Sequence, residues 1–537
     1  MTLQRSTTKT IVPKGLTDAL DIAHAFPGAM SSLSNLIPDP GADGMWVCRP
    51  AALQATAFSP FSSPGFISAL KVVGNVAYGL IATARNPGHD EPFIYNLVSG
   101  QFTAIGNVLP ANTPVSPATS GAWVPPTVDI VGTKIIFTHP GFNFGAGFYI
   151  GWIDISNPIA PTWNAGNLTG LVQFTSLPTV VVQFSGRAYY VVSNSLVFSD
   201  AGNPTNCTLG TQVITLGLNL AITAAVGLPL TNQLQGGIIQ SIMCFVGTTT
   251  IYQVTGDASS TTAPLQINQL NVSTGTYSQN SVCATPRGLC FASPEGLRFI
   301  NYTAQISDPV GNNGKGVVKP IFNALVHSRV ALAYAGDVIR VSLQNAGVAS
   351  NPFQEYFMHL SLGRWSGPHT FPASLIQGYG SSFIEAPVGV PGGLWQSNAA
   401  PGVFDTYVEN GAQLQWSMTT PLMPPSGEAM AELALQEMTA NMALNSGDIY
   451  FFSFINPQGV TISSVQLTGQ GAANLWGSIV WGTGYWGSTA PLYGPFQVMF
   501  NAPVVFKQAQ FSMTGPSAQA VKVGSIDMRT EVLGYLL

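Results

Sequence analysis

Apolar and polar positions alternate along the chain in short stretches that recur about every fifty residues. Each stretch is an apolar strand, a tight turn with one glycine, and a second strand rich in aromatic and β-branched residues. Alternation with a period of two predicts half-buried β-strands, and the glycine predicts a hairpin turn because it adopts positive φ at little cost. The turns hold Gly132, Gly186, Gly247, Gly296 and Gly336, with a weaker first copy at Gly74 and a degenerate one near Gly393.

A second element follows the hairpin in several of these units. An aromatic strand leads through a turn to another aromatic residue in EPFIYNLVSGQF, FYIGWIDISNPIAPTW and EYFMHLSLGRWSGP. Two hairpins per unit predict a four-stranded sheet, and a ring of such sheets buries the apolar faces that one hairpin leaves exposed. The pattern therefore predicts a β-propeller of six or seven blades over residues 46–414. Ring closure needs a strand from one terminus, which the sequence does not identify.

The segments that flank this repeat have different patterns. Residues 1–45 are punctuated by proline and glycine, which predicts an irregular arm with one or two helical turns at DALDIAHAF. Residues 415–537 contain further strand patterns and predict a C-terminal β-sandwich-like domain. Within that segment SGEAMAELALQEMTANMAL fits either a helix, from its composition, or a strand, from its alternation. The fold class predicted for the whole chain is all-β.

Charge is scarce in this chain. Charged residues make up 8% of its 537 residues, against about 25% in an ordinary globular domain. Serine, threonine, asparagine and glutamine fill the polar positions, which suits a subunit of a large assembly. The net charge of −5 and the scattered basic residues argue against sequence-specific nucleic-acid binding, which needs clusters of lysine and arginine. A neutral or acidic lining would let DNA slide past without sticking.

The cysteines and the apolar stretches predict neither disulfides nor a membrane span. The five cysteines are odd in number, widely spaced and without a CxxC motif, so we expect free buried thiols and assembly in a reducing cytoplasm. No signal peptide is visible at the N-terminus. Residues 201–256 carry no charge, but polar residues, glycine and proline interrupt them, which favours buried strands.

Candidate catalytic residues are few. Asp90 and Glu91 adjoin His89 and could form an acid/base cluster, although a polar turn before a strand is the preferred interpretation. Asp200 lies in FSDAGNPT, which partly resembles the Asp-box turns of sialidase propellers and predicts a structural Asx-type turn. His359 in the strand YFMHL is expected to be a satisfied blade residue. No HExxH, P-loop or GxSxG motif is present, so we predict a non-enzyme without metal or cofactor.

Aromatic residues cluster in LWGSIVWGTGYWG near the C-terminus. Tryptophan and tyrosine anchor many protein interfaces. We therefore predict an interface with another subunit or a partner, formed by Trp476, Trp481, Tyr485 and Trp486. A folded loop that covers the C-terminal domain and a carbohydrate-stacking site remain open as alternatives.

Several stretches together carry a resemblance to a known family. They are SNLIPDPGADGMWVCRPA, SLVFSDAGNPTNCT, IMCFVGTTTIYQVTGDASSTTAPLQ followed by NSVCATPRGLCFASPEGLRFI, and the Trp-Gly repeats with the final strands. The chain resembles the tail hub or nozzle proteins of short-tailed bacteriophages, also called packaged-DNA stabilisation proteins. It departs from them in being poorer in charge.

This resemblance implies a structural role in the virion. It implies a propeller subunit that assembles as a homo-oligomer, usually a ring of six, around the DNA exit channel of the tail, after synthesis in the host cytoplasm. The ring would contact the portal and adaptor proteins and the tail fibres or tailspikes, retain packaged DNA and let it pass on infection. The family has no catalytic residues to carry over.

Two other functions remain open from the sequence. A carbohydrate-active propeller would gather carboxylates at one end of its central channel and would carry an export signal. A receptor-binding tail component would use the Trp-Gly loop to adsorb to the host.

Overall fold

The structure is a computed structural model of the chain. It describes residues 6–16, 27–39, 41–42, 44–55, 66–82, 90–105, 125–142, 147–217, 220–231, 238–256, 265–270, 273–310, 325–345, 353–388, 393–402, 405–423, 431–469, 493–500 and 504–535. Within these ranges the regular elements are β-strands, together with one 3₁₀ turn at Gln279–Ser281.

Among the described residues, seven short strands precede the repeating region. They are β1 (Ser6–Ile11), β2 (Gly15–Leu16), β3 (Ala29–Met30), β4 (Ser32–Ser34), β5 (Leu36–Pro38), β6 (Trp46–Cys48) and β7 (Leu53–Gln54). In place of the irregular arm that we expected, the described part of residues 1–45 thus contributes strands. The segment DALDIAHAF lies outside the described residues.

The described part of the repeating region contains thirty strands. They are β8 (Phe66–Val73), β9 (Val76–Ala82), β10 (Asp90–Asn96), β11 (Phe102–Ala104), β12 (Thr127–Val131), β13 (Lys134–Thr138), β14 (Ile150–Asp154), β15 (Thr162–Gly166), β16 (Thr169–Gly170), β17 (Val180–Phe184), β18 (Arg187–Val192), β19 (Ser195–Phe198), β20 (Asn206–Cys207), β21 (Val213–Thr215), β22 (Ile222–Gly227), β23 (Leu230–Thr231), β24 (Ile238–Ile239), β25 (Ser241–Val246), β26 (Thr250–Thr255), β27 (Gln266–Leu270), β28 (Val282–Thr285), β29 (Gly288–Ser293), β30 (Gly296–Ile300), β31 (Leu325–Ala335), β32 (Val338–Asn345), β33 (Gln354–His359), β34 (Arg364–His369), β35 (Ala373–Tyr379), β36 (Ser382–Pro387) and β37 (Trp395–Asn398).

Ten strands follow. They are β38 (Val408–Glu409), β39 (Ala412–Gln413), β40 (Gln415–Thr419), β41 (Ala431–Ala443), β42 (Ile449–Ile455), β43 (Thr461–Thr468), β44 (Gly494–Gln497), β45 (Val504–Phe506), β46 (Gln510–Pro516) and β47 (Lys522–Tyr535). The ambiguous segment SGEAMAELALQEMTANMAL therefore forms a long strand over its described part, β41, which pairs with β47.

The repeating region folds as a β-propeller, as the sequence predicts. Six antiparallel sheets belong to the propeller alone: β8–β11, β12–β15, β17–β18–β19–β21, β22–β25–β26–β27, β28–β30, and β35–β37 with β7. The strands β31–β34 occupy a seventh radial position and continue into a larger sheet. The blades are numbered along the chain. Blades 1 to 5 are the first five sheets above, blade 6 is β31–β34, and blade 7 is β35–β37 with β7. Their innermost strands surround a common axis.

The predicted glycine hairpins join neighbouring strands within the blades. The first and second strands are joined by the turns at Gly74, Gly132, Gly186 and Gly336, whereas the second and third strands are joined by the turns at Gly247 and Gly296. The turns at Gly74 and Gly247 both have φ of +57°, a left-handed conformation that residues with a Cβ adopt at a cost. Blades then pack face to face through apolar side chains. Ala69 and Leu80 of blade 1, for example, share a buried cluster with Ile135 of blade 2. Each large apolar side chain so buried contributes about 1.5–3 kcal/mol.

The N-terminal strand β7 closes the ring. It pairs with β37, so that Gln54 lies opposite Trp395 and Leu53 opposite Gln396. The backbone N–H of Ala55 adds a 2.8 Å hydrogen bond to the carbonyl of Leu394. The closing strand that the sequence could not identify thus comes from the N-terminal side of the repeat.

Two large sheets lie beyond the ring and contain strands from both ends of the chain. The nine-stranded sheet runs β31-β32-β33-β34-β4-β40-β46-β42-β43, and the seven-stranded sheet has the order β44-β41-β47-β6-β5, with β1 on β47 and β45 on β41. One buried core contains Trp46, Trp416, Met438, Tyr450 and Phe511. Because the nine-stranded sheet runs unbroken from propeller strands into C-terminal strands, a separate C-terminal domain beginning at residue 415 remains a prediction.

Candidate functional site

A cavity of about 330 Å³ lies on the axis of the propeller. Residues from the innermost strands of all seven blades line it, so that its wall is built by the ring as a whole. This volume suits a small molecule. The polar residues along the wall include Lys71, Asp129, Asn280, Cys283, Tyr334 and Gln377.

One ion pair lies in this wall. The Nζ atom of Lys71 in β8 is 3.1 Å from Oδ1 of Asp129 in β12, and the lysine side chain is 34% exposed whereas the aspartate is buried. The Asp129 carboxylate also accepts hydrogen bonds from the backbone N–H groups of Ile130 (2.9 Å) and Gln183 (2.7 Å). Asp129 therefore joins three consecutive blades, and the partly exposed ammonium of Lys71 is the group in the pair with room to meet a ligand.

The candidate carboxylates Asp90 and Glu91 lie in a strand and are buried. They begin β10, with side chains that are 3% and 8% exposed, rather than forming a polar turn before it. His89 lies outside the described residues. The proposed cluster of these three residues is therefore not observed in the part of the chain that the structure describes.

Asp90 instead joins blades 1 and 2 through a different histidine. Its Oδ2 atom accepts hydrogen bonds from the Ser68 hydroxyl (2.7 Å) and from Nε2 of His139 (3.0 Å). The His139 Nδ1 atom accepts the backbone N–H of Gly141 at 3.0 Å, which places the imidazole proton on Nε2. Because serine and histidine both donate to the carboxylate, this is not the arrangement in which histidine activates a serine nucleophile.

Asp200 has a structural role in its loop, as predicted. Its hydrogen-bond partners, however, differ from those of the predicted Asx-type turn. Its Oδ1 atom accepts hydrogen bonds from Nε2 of Gln212 (2.8 Å) and from the hydroxyl of Thr208 (3.1 Å). Its Oδ2 atom accepts one from Nδ2 of Asn206 at 3.0 Å. The carboxylate thus holds together the whole connection between the last two strands of blade 3.

A buried polar network lies where blade 6, blade 7 and the N-terminal segment meet. Arg49 is 4% exposed and makes a bidentate pair with Glu409 at 2.8 and 2.7 Å. Its Nε atom donates to Oδ1 of Asn35 at 2.8 Å and its Nη2 atom to the carbonyl of Thr370 at 2.8 Å. The arginine thereby ties the N-terminal segment to residues on both sides of blade 7.

A second buried arginine lies between blades 6 and 7. Arg340 of β32 donates to Oε1 of Glu355 from Nε (2.9 Å) and Nη2 (2.6 Å), and it pairs with Glu385 of β36. Its guanidinium lies over the rings of Phe357 (5.1 Å) and Phe383 (5.2 Å). One positive charge thus faces two carboxylates that are almost completely buried.

Burial sets the protonation behaviour of this region. It raises the pKa of Glu355 to about 7, with Glu385 also raising it while Arg340 opposes the shift. Burial lowers the pKa of His359 to about 4, and it lowers the pKa of His369 well below the ordinary value, helped by Arg49 and Arg340.

His359 differs from its prediction as a satisfied blade residue. It lies in β33 and is buried, but its Nε2 atom has no hydrogen-bond partner among the described residues. His369 is better satisfied, since its Nδ1 atom accepts the backbone N–H of Asn35 at 2.9 Å.

The predicted interface residues Trp476, Trp481, Tyr485 and Trp486 lie outside the described residues, so their role stays a prediction. Within the described ranges no group of three or more histidine, cysteine, aspartate or glutamate side chains could hold a metal ion. The same part of the chain contains no helix of the length and apolarity that a membrane crossing requires.

Sequence reasoning missed both arginine networks. The segment VIRVSL carries a usable signal, because Arg340 alternates with apolar neighbours in a strand and lies on the same face as Val338 and Ser342. In a chain with 18 basic residues, an arginine inside an apolar strand is notable. Its partners Glu355 and Glu385 lie on other strands and carry no local signal.

The strand order and pairing place this chain in the β-propeller class. No protein-family model and no curated protein sequence matches it. Similar solved structures include the Dos1 propeller, with 8% identity over 66% of this chain and 96% of that one and a TM-score of 0.37. The propeller domain of the Trilobed protease from Pyrococcus furiosus has 10% identity over 65% and 98%, with a TM-score of 0.32. A family 43 arabinoxylan arabinofuranohydrolase from Bacillus subtilis has 10% identity over 90% and 98%, with a TM-score of 0.23.

Proposed function

We propose that this chain is a structural subunit of the tail nozzle of a short-tailed bacteriophage. Six copies would form a ring around the DNA exit channel, bound to portal or adaptor proteins and to tail fibres or tailspikes. The ring would retain the packaged genome and let it pass on infection. The scarcity of charge supports this role, because a weakly charged wall does not hold phosphates.

The nine-stranded sheet is the observation that carries the proposal. One end of it, β31, forms part of the propeller axis, and the other end is the edge strand β43. Among the described residues β43 pairs with β42 alone, and its sequence TISSVQLT carries no charge. Long uncharged edge strands pair readily with another chain. On the neighbouring strand Ile449 and Phe451 are 47% and 42% exposed, which adds apolar surface beside the edge.

The size of the axial cavity determines where DNA could run. A cavity of about 330 Å³ has room for a small molecule only. A DNA duplex is much larger, since its major groove alone is about 12 Å wide. The genome would therefore pass between subunits, along the axis of the oligomer, and not through the centre of one propeller.

Electron microscopy of the purified protein and of isolated tails tests the proposal. We expect closed rings, and we expect Ser464→Lys with Gln466→Lys, both exposed on β43, to reduce ring formation because edge charges disfavour strand pairing. The matched control is Gln266→Lys on the exposed edge strand β27 of blade 4, which should leave rings unchanged. Protein that stays monomeric in tail complexes would refute the proposal.

The carbohydrate-active alternative depends on carboxylates around the axial cavity. The described wall contributes one carboxylate, Asp129, which already binds Lys71 and two backbone amides, whereas glycosidases usually place two carboxyl groups at the scissile bond. Glycan turnover that is lost in Asp129→Asn would favour this alternative over the structural role.

A further inference from the structure

Two cysteines of blade 5 face each other across a strand pair. Cys283 of β28 lies directly opposite Cys290 of β29, which places both side chains on the same face of the blade. Directly opposite residues on antiparallel strands have Cα atoms about 4.5–5.5 Å apart. Disulfides span Cα separations of about 4.4–6.8 Å, so this pair can be bridged with little backbone movement.

The two thiols differ in their access to solvent. Cys283 is half-buried and lines the axial cavity, whereas Cys290 is completely buried behind it. The remaining cysteines are buried and face other groups. Cys244 lies opposite Tyr252, and the Cys207 thiol donates to the carbonyl of Phe198 at 3.3 Å. Among the described residues the pair in blade 5 therefore combines an accessible thiol with a second thiol directly opposite it on the neighbouring strand.

We propose that Cys283 and Cys290 form a reversible thiol–disulfide site that small peroxides oxidise through the axial cavity. The Cys283 sulfur attacks hydrogen peroxide, an S–O bond forms, the O–O bond breaks and water leaves, which gives a sulfenic acid. The Cys290 sulfur then attacks the Cys283 sulfur, the S–S bond forms, the S–O bond breaks and a second water leaves. Two thiols lose two electrons and two protons, and one peroxide becomes two waters.

The environment predicts a slow second step and a labile product. Burial raises the pKa of the Cys290 thiol, so little thiolate is available for the second attack at neutral pH. Cβ atoms of directly opposite residues are about 4.5–5.5 Å apart, at or beyond the usual disulfide range of about 3.5–4.5 Å. A disulfide strained in this way is reduced easily, as a reversible site requires.

Peroxide treatment of the reduced full-length protein tests this proposal. After denaturation and alkylation we expect all five cysteines to be labelled in the reduced protein and two fewer after oxidation, with full labelling restored by a dithiol. Trypsin cleaves after Arg287, between the two cysteines, so a disulfide appears in mass spectra as two linked peptides. Oxidation should quicken as the pH rises.

Variants separate the two steps. Cys290→Ser should stop at a sulfenic acid on Cys283 that a cyclic diketone traps, and Cys283→Ser should abolish the loss of thiols. Cys244→Ser is the matched buried control and should oxidise like the unmodified protein. Two results would overturn the proposal: unchanged labelling of all five thiols after peroxide, or linked peptides that involve any other cysteine. Both measurements use the unmodified protein, so they do not depend on whether a variant folds.

Discussion

At the residue scale, several buried charges among the described residues lie where blades or chain segments meet. Arg340, Arg49, Asp90 and Asp129 each join two or more blades or segments through hydrogen bonds in buried surroundings. A buried charge is stabilising only while its partners are present, because an unpaired one costs several kcal/mol. These positions should therefore be far more sensitive to substitution than the exposed charges.

Glu355 should make stability pH-dependent. Its pKa rises from an ordinary value near 4.5 in the unfolded chain to about 7 in the folded protein, so the folded state holds the proton more tightly. The raised pKa stabilises the folded state fully below pH 4.5, and this stabilisation is lost as the pH rises toward 7. Each tenfold difference in proton affinity between the folded and unfolded states corresponds to about 1.4 kcal/mol.

Urea unfolding at several pH values measures this effect. We expect Glu355→Gln to remove the loss of stability between pH 5 and 8 relative to the unmodified protein. The low pKa values of His359 and His369 destabilise the fold in acid in both proteins, so the difference between the two curves isolates Glu355. Parallel curves would contradict the prediction.

Arg49→Met should destabilise the protein by about 3–5 kcal/mol, because it leaves the Glu409 carboxylate buried without its partner. The partly exposed pair of Lys522 and Asp39 is the control. Because the lysine side chain is 43% exposed, Lys522→Met should cost less than about 1 kcal/mol. Denaturant midpoints measure both. The double variant Arg49→Met with Glu409→Leu should recover much of the loss, and a single variant no worse than the control would refute this account.

At the element scale, local pattern predicted the strands well and their long-range partners poorly. The glycine hairpins of the blades follow from alternation and from one turn residue, as around Gly132 and Gly186. The pairing of β7 with β37 does not, because two exposed residues, Leu53 and Gln54, carry no pattern of their own. Local pattern also left the type of β41 undecided. Its composition favours a helix, but its pairing with the distant strand β47 makes it a strand.

Ring closure depends on a short strand and can be weakened by one substitution. Ala55→Pro removes the N–H that donates to Leu394, at an expected cost of about 1–3 kcal/mol. Ala55→Ser keeps the N–H and is the matched control. Thermal unfolding should show a lower Tm for the proline variant alone, and equal Tm values would mean that β7 contributes little to closure.

At the scale of the whole molecule, the two termini are interlocked. The N-terminal strand β4 lies between β34 of the propeller and β40 of the C-terminal segment, and it joins them into one sheet. The sequence could not reveal this arrangement, because β4 has three residues and its partners are hundreds of residues away. The candidate site was hidden for the same reason, as its cavity wall and its arginine networks are assembled from many separate strands.

Removing residues 1–45 should therefore destabilise both large sheets. Without β4 the nine-stranded sheet separates into two parts, and without β5 and β1 the seven-stranded sheet loses two of its strands. Differential scanning calorimetry should show two transitions, or a loss of soluble protein, in place of one cooperative transition. A truncated protein with an unchanged single transition would contradict this role for the N-terminal strands.

The closure of the ring also constrains how the chain is made. β7 leaves the ribosome early, but its partner β37 is synthesised more than three hundred residues later. Until then the nascent propeller is an open arc, with an apolar flank on its first and latest blades and with unpaired strand edges that attract other chains. Pairings so distant along the chain also form slowly. Successful production of this protein should therefore depend on slow translation, low temperature or a chaperone that covers the open arc until its two ends meet.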